Sequence, residues 1–338
     1  MIGPLKTLAN TLGYHVMSRA TAEEIVKSHP WLAEQLSTAT SDAQPTTATA
    51  PRTEPPQLTE LRRRYAGHPA TAHTVWASEN VARDLDLDHF RADNVYVWQT
   101  RSTSPIQYLL STYYVKDNDP LHLFERMQED GAFGALTFEH NERAISRDML
   151  DSILEISFLD EHIGLGGTPD LTVLDIGAGY GRLAHRMAET LPNLARYFCV
   201  DAVAESTFVS ELYARHRMVD SKVTVVALDE AERVITSNRI DVAVNIHSFS
   251  ECALSSIEFW LDLIDRAAIR WIFVVPNTGD RLISSEPDGS RVDFLPSFEA
   301  RGYQLAVRRD KYHRSEGVQK FGLFPSTYFL FKRDTRQP

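Results

Sequence analysis

Residues 171–182 read Leu-Thr-Val-Leu-Asp-Ile-Gly-Ala-Gly-Tyr-Gly-Arg, an apolar run that meets a glycine-rich turn and then changes period. Val173, Leu174 and Ile176 form the near-continuous apolar stretch expected of a strand buried on both faces. Gly177 and Gly179 allow a tight turn and a close approach of backbone to ligand that a Cβ would block. From Arg182 onward Leu183, Met187 and Leu191 share one helical face, and Pro192 ends the helix. A strand, a glycine turn and a helix in this order present backbone N–H groups to an adenosine-type cofactor. A tight turn with no ligand gives the same local pattern.

Spacing separates the cofactor classes. A dinucleotide fingerprint, Gly-x-Gly-x-x-Gly, needs its third glycine at 182, where this chain has Arg182, and Gly181 comes one position early. A second apolar run, Tyr197-Phe-Cys-Val-Asp201, ends in a carboxylate placed where acidic residues meet ribose hydroxyls. Asp201 is equally suited to cap the helix that follows. Further strands are expected at 223–228, 240–246 and 271–275, the last stopped by Pro276, and at 303–307 and 327–331. Between the fourth and fifth lies a helix with Ile257, Trp260, Leu261, Ile264 and Ala268 as its apolar stripe. Strands alternating with helices predict a doubly wound, mostly parallel α/β sheet of seven strands.

The run Asp175-Ile-Gly-Ala-Gly-Tyr-Gly181 resembles motif I of the class I S-adenosylmethionine-dependent methyltransferases, and the likeness extends over about residues 166–333. After strand four the chain reads Asn245-Ile-His-Ser-Phe-Ser-Glu251, then Phe259-Trp-Leu261 and Val274-Val-Pro-Asn277. This succession, with a looser likeness at Tyr96-Val-Trp-Gln99, is similar to the sugar O-methyltransferase family. The resemblance implies a Rossmann-like sheet closed by a terminal hairpin of strands six and seven, with a mainly helical cap on its amino-terminal side. It implies S-adenosyl-L-methionine as cofactor, held by Asp175, Gly177, Ala178, Gly179, Asp201, Ala202, Leu228, Asp229 and Asn245. It also implies methyl transfer to a sugar hydroxyl.

Composition narrows the partners. A formal charge of −11 disfavours a nucleic-acid substrate, because neutralising phosphates requires a basic surface. No apolar run is long enough to cross a bilayer, and the amino terminus lacks a signal-peptide core, so a cytoplasmic protein is expected. Two cysteines, Cys199 and Cys252, make neither a disulfide framework nor a metal-ligand pattern. Four stretches are expected: a helical segment over 1–36, a flexible linker over 37–56 rich in Ser, Thr and Pro, a cap over 57–165 and the cofactor domain over 166–338. The leading segment reads as a docking or oligomerising element or as a loose tail, and homo-oligomerisation is left open.

Methyl transfer to a hydroxyl is an in-line displacement, so the protein must hold the acceptor oxygen and remove its proton. Of the twelve histidines, His247 stands at the carboxyl end of strand four, where it suits a catalytic base. Glu251 follows one turn later, to orient that ring or act as the base itself. A structural histidine or a cofactor contact is the plainer reading of His247, and His140 and His313 stand in reserve. Ser248, Trp98 and Tyr114 are candidate acceptor contacts, the aromatics as faces for sugar C–H surfaces or simply as the cap's own core. Asp229, Glu230 and Glu251 do not form a metal motif, and no metal is expected. Three other functions fit less well. A non-sugar acceptor such as a polyketide or lipid-linked metabolite would leave motif I unchanged. An NAD-dependent enzyme is opposed by Arg182, and a non-catalytic partner subunit by the intact turn.

The linker reading has a direct consequence. Limited proteolysis should cut first within 37–56, and a chain beginning near Gln57 should keep its cofactor affinity. Loss of that affinity on truncation would show that the leading segment supports the cofactor site.

Overall fold

The computed structural model describes residues 55–71, 76, 85–92 and 104–334. The 1–36 segment, the 37–56 linker up to residue 54, and Tyr96 and Trp98 lie outside the described residues. The longer helices are α1 (Pro56–Tyr65), α2 (Pro105–Asp117), α3 (Arg147–Ile163), α4 (Arg182–Thr190), α5 (Ala204–His216), α6 (Ala231–Ser237) and α7 (Leu254–Arg266). The main sheet is built from β1 (Leu171–Ile176), β2 (Leu194–Val200), β3 (Val223–Val226), β4 (Val242–His247), β5 (Trp271–Pro276), β6 (Tyr303–Asp310) and β7 (Thr327–Arg333).

These seven strands lie in the order β3-β2-β1-β4-β5-β7-β6. β1 to β5 pair in parallel, while β7 runs antiparallel to both β5 and β6. The expected fold class is therefore found, including the terminal hairpin. Every residue of β1 is buried, as its near-continuous apolar run requires of a central strand. β1 has β2 on one side and β4 on the other, so the chain's progress across the sheet reverses there. Open α/β sheets leave a crevice outside the carboxyl ends of the strands at such a point. The glycine turn after β1 and the His247 segment after β4 both emerge at it.

The chain divides into two compact units, and the division does not fall at the expected 165/166 boundary. Of the described residues, the sheet unit takes 55–71, 76, 85, 155–311 and 326–334; the other takes 86–92, 104–154 and 312–325. Helix α1 was expected in the cap, yet Leu58 and Tyr65 are buried in one core with Leu174, Ile176, Phe198, Val226 and Leu228. Leu58 and Tyr65 lie two turns apart on one face of α1, with half-buried Leu61 between them, which gives the helix an apolar side to dock. α3 crosses the division between Leu154 and Glu155.

The other unit has more than helices in it. α2 opens with a capping box, in which the Ser104 N–H donates to Gln107 Oε1 at 3.0 Å. Strands Thr137–His140 and Arg143–Ser146 form a two-stranded hairpin. Residues 312–325, between β6 and β7 in sequence, join this unit: Tyr312 Oη donates to Leu323 O at 2.7 Å and lies 3.1 Å from Ser111 Oγ. Arg91, fully buried, pairs with Glu129 at 2.8 Å.

Candidate functional site

The turn after β1 holds Gly177, Gly179 and Gly181 at positive φ of 74°, 56° and 84°, a region closed to most side chains. At Gly177 the need is steric as well, because an added Cβ would overlap Ser248 Oγ and Cβ. Four N–H groups of this turn are engaged inside the protein. Gly177 and Ala178 donate to Val200 O at 2.8 and 3.3 Å, Gly181 to Ala178 O at 2.9 Å, and Gly179 to Asp201 Oδ2 at 2.9 Å. The expectation that these N–H groups stand ready for a ligand is thereby corrected. What the turn offers is bare backbone without side chains.

Asp201 follows β2 as expected and caps the next helix, while also holding the glycine turn. Its Oδ1 accepts the Val203 N–H at 2.9 Å, capping the entry to α5, and its Oδ2 holds Gly179. With Ser206 also donating, about one of the carboxylate's four lone-pair sites is left for a ribose hydroxyl. Burial pushes Asp201 up to about 6, against the pull of these donors. Asp175 lies buried in β1 and accepts from Tyr197 Oη at 2.9 Å. Burial raises it to about 7, opposed by that bond and by the Arg182 charge. Arg182, at the position of the missing third glycine, reaches Glu155 with two bonds of 2.8 and 3.0 Å.

At the end of β4, Asn245 and Ser248 turn inward. Asn245 Nδ2 donates to Ile176 O at 2.8 Å and to Ser248 Oγ at 2.6 Å, and Asn245 Oδ1 accepts the Phe249 N–H at 3.0 Å. Asn245 was expected at the cofactor and Ser248 at the acceptor; the structure instead has them tie the end of β4 to the end of β1. His247 is half-buried and sits at φ 71°, ψ −38°. That backbone is strained for a residue with a side chain, as residues at functional sites often are.

Glu251 is the most distinctive group in the crevice. Burial pushes its carboxyl up to about 7, even though two donors hold it. Asn277 Nδ2 donates to Oε1 at 2.6 Å, and the Trp76 indole N–H donates to Oε2. The charge of Asp201 adds to the upward shifts of both Glu251 and Cys252, so these groups share one electrostatic neighbourhood. Asp175, Asp201 and Glu251 give this sheet edge an acidic character.

The adenine-side candidates are split. Leu228 is buried in the core, Ala202 is half-buried beside Asp201, and Asp229 accepts a two-bond contact from Arg64 at 2.7 and 2.9 Å. Tyr114 is not available as an aromatic platform. It is buried in the other unit with its ring edge-on to Tyr312 at 5.1 Å, so the core reading of that residue holds. Trp98 lies outside the described residues. Trp76, Arg64 and Tyr65 went unnoticed in the sequence, where no motif or period surrounds them, and Asn277 was visible only inside a quoted run. Among the described residues no three His, Cys, Asp or Glu side chains gather as a metal site, and no helix is long and apolar enough to cross a membrane.

No family model matches the chain, and no curated protein matches it. Among solved structures it is similar to magnesium protoporphyrin IX methyltransferase from Synechocystis PCC 6803 with bound SAM, at 14% identity over 70% of this chain and 100% of that one, with a TM-score of 0.40. It is similar to the [4+2]-cyclase SpnF at 16% identity over 67% and 95% of the two chains, with a TM-score of 0.39. For precorrin-6y C5,15-methyltransferase from Geobacter metallireducens GS-15 the values are 17%, 54% and 87%, with a TM-score of 0.37. Likenesses this low carry no information about activity.

The contact at Gly177 is open to a double-mutant cycle. Gly177→Ala should destabilise the protein by more than the ~1–2 kcal/mol of a left-handed alanine. Ser248→Gly in the same chain should recover part of that loss, with a coupling of about 1 kcal/mol or more in urea unfolding. Additive losses would mean that the turn does not press on Ser248.

Proposed function

We propose that this protein is an S-adenosylmethionine-dependent O-methyltransferase whose acceptor is a small-molecule hydroxyl, with a sugar hydroxyl as the first choice. One observation carries the cofactor reading. The N–H groups of Gly177, Ala178, Gly179 and Gly181 are engaged within the protein, and the carboxyls of Asp175, Asp201 and Glu251 lie at the same edge. A pyrophosphate needs free N–H donors and is repelled by carboxylates. An adenosine cofactor that lacks phosphate and carries positive charge suits both features. When bound, such a cofactor supplies an electrophilic methyl group on a sulfonium.

The chain's own residues do the rest. Gly177, Ala178 and Gly179 admit the cofactor against bare backbone, the free lone pair of Asp201 takes a ribose hydroxyl, and Leu228 and Asp229 border the adenine. Glu251 accepts the proton of the acceptor hydroxyl. A carboxyl raised to about 7 is largely ionised at slightly alkaline pH and is a stronger base than an ordinary carboxylate. Asn277 and Trp76 fix its orientation, so little reorganisation accompanies the proton transfer. His247, strained at the strand end, is the second candidate base. The sugar rests on the Asn245–Glu251 segment. Because Tyr114 is buried, a non-sugar hydroxyl acceptor is the second reading.

Methyl transfer from radiolabelled cofactor, run against mono- and oligosaccharides and a set of non-sugar alcohols and phenols, tests the proposal. Glu251→Gln should lower turnover by about 10²- to 10⁴-fold, the range for losing a general base. The wild-type rate should fall as pH drops below about 7, where Glu251 takes up its proton, and Glu251→Gln should lose that limb. Near-normal turnover in Glu251→Gln with a collapse in His247→Ala would move the base to His247.

A further inference from the structure

Helix α1 ends in three consecutive arginines followed by a tyrosine, Arg62-Arg63-Arg64-Tyr65. Its contacts with the rest of the sheet unit converge on the first turn of α5, which Asp201 caps, and on the loop after β3. On the first turn of α5, Tyr65 Oη is 2.7 Å from Thr207 Oγ1, and Arg62 Nε donates to Glu205 Oε1 at 2.6 Å. On the loop after β3, Arg64 grips Asp229 with two bonds and reaches Glu230 at 3.2 Å. Tyr65 joins the start of α5 to the loop after β3, because the Leu228 backbone also bonds its hydroxyl and the Asp201 charge acts on it. One buried side chain thus touches both the ribose-side and the adenine-side segments.

We infer that α1 is a positioning element of the cofactor site, with Arg64 and Tyr65 fixing the spacing between the Asp201-capped start of α5 and the Leu228–Asp229 loop. The inference rests on the cofactor reading above. Neither residue reacts; each acts through the groups it holds. The chemistry of the Arg64 contact separates positioning from folding. Arg64 and Asp229 are 28% and 38% exposed, and a pair so solvated adds little to global stability. The carboxylate of Glu205, by contrast, has no solvent exposure, so the Arg62 pair is of the kind whose loss weakens the fold itself. Removing Arg64 leaves the core intact and frees Asp229 to rotate away from the adenine side. A planar, two-bond grip of this kind is beyond a lysine, which offers a point charge.

The test uses full-length protein with S-adenosylhomocysteine as the probe, read by calorimetry and by thermal melting of the ligand-free chain. Arg64→Ala should weaken binding by roughly 5- to 30-fold, within the usual range of coupling between sites, while the ligand-free melting temperature stays put. Arg64→Lys should recover only part of the affinity. Tyr65→Phe keeps the buried ring and loses the hydroxyl bridge, so it too should weaken binding. In steady state the Arg64→Ala loss should appear in the cofactor KM, with kcat and the acceptor KM unchanged. Wild-type binding with no change in Arg64→Ala and Tyr65→Phe would overturn the inference and leave the cofactor reading standing. Affinity and ligand-free stability falling together in Arg64→Ala would also overturn it, since α1 would then be a structural prop only. Absence of binding by the wild type would overturn both.

Discussion

The tightest constraint in the molecule is the contact between the ends of β1 and β4. Gly177 passes so close to Ser248 that no side chain fits between them, and Asn245 spans the same gap with its amide. This tie fixes where the chain can go next on both sides. After β1 it must turn through left-handed glycines before α4 can start, and after β4 it leaves through the strained backbone of His247. The crevice at the reversal of the sheet is therefore rigid at its base, and its functional groups are carried by whatever follows the tie. Glu251 stands one turn beyond it.

Burial of carboxyls in that crevice has a cost that bears on function. Asp175 and Asp201 move from 3.8 to about 7 and about 6, and Glu251 moves from 4.5 to about 7. For groups raised on folding, the folded state binds protons more readily than the unfolded chain. Their contribution to stability is complete below about pH 4 and is lost as pH rises through about 6 to 7. At neutral pH the ligand-free site is thus held in an unfavourable state that a cation would relieve. A site built this way takes affinity from charge as well as from shape.

Much of this was legible along the chain. The near-continuous apolar run of β1, the change of period at Arg182 and the alternation of strands and helices were legible as local pattern, while the terminal hairpin followed only from the family resemblance. The helix-cap role of Asp201 was legible from its position after a strand, whereas its hold on Gly179 was not, since nothing in the sequence ties position 201 to the turn. The tie between Asn245, Ser248 and Ile176 was not legible, since polar residues after a strand look alike whether they face a ligand or the backbone of a neighbour. Tyr114 illustrates the same limit for aromatics, whose rings suit a core as well as a sugar. α1 was placed in the wrong unit because short amphipathic helices declare that they dock, and never where. Trp76 reaches Glu251 across 175 positions, a separation at which no periodicity survives.

The central claim is that the crevice selects a phosphate-free, positively charged adenosine cofactor. Calorimetric titration of the full chain with S-adenosylmethionine, S-adenosylhomocysteine and NAD at pH 5.5 and pH 8 tests it most directly. The account predicts binding of the first two in the micromolar range, no binding of NAD, and a preference for the sulfonium over its neutral thioether product that grows from the lower to the higher pH as Asp201 and Glu251 ionise. Binding of NAD in competition with S-adenosylmethionine, or a sulfonium preference that stays flat or shrinks as pH rises, would contradict it.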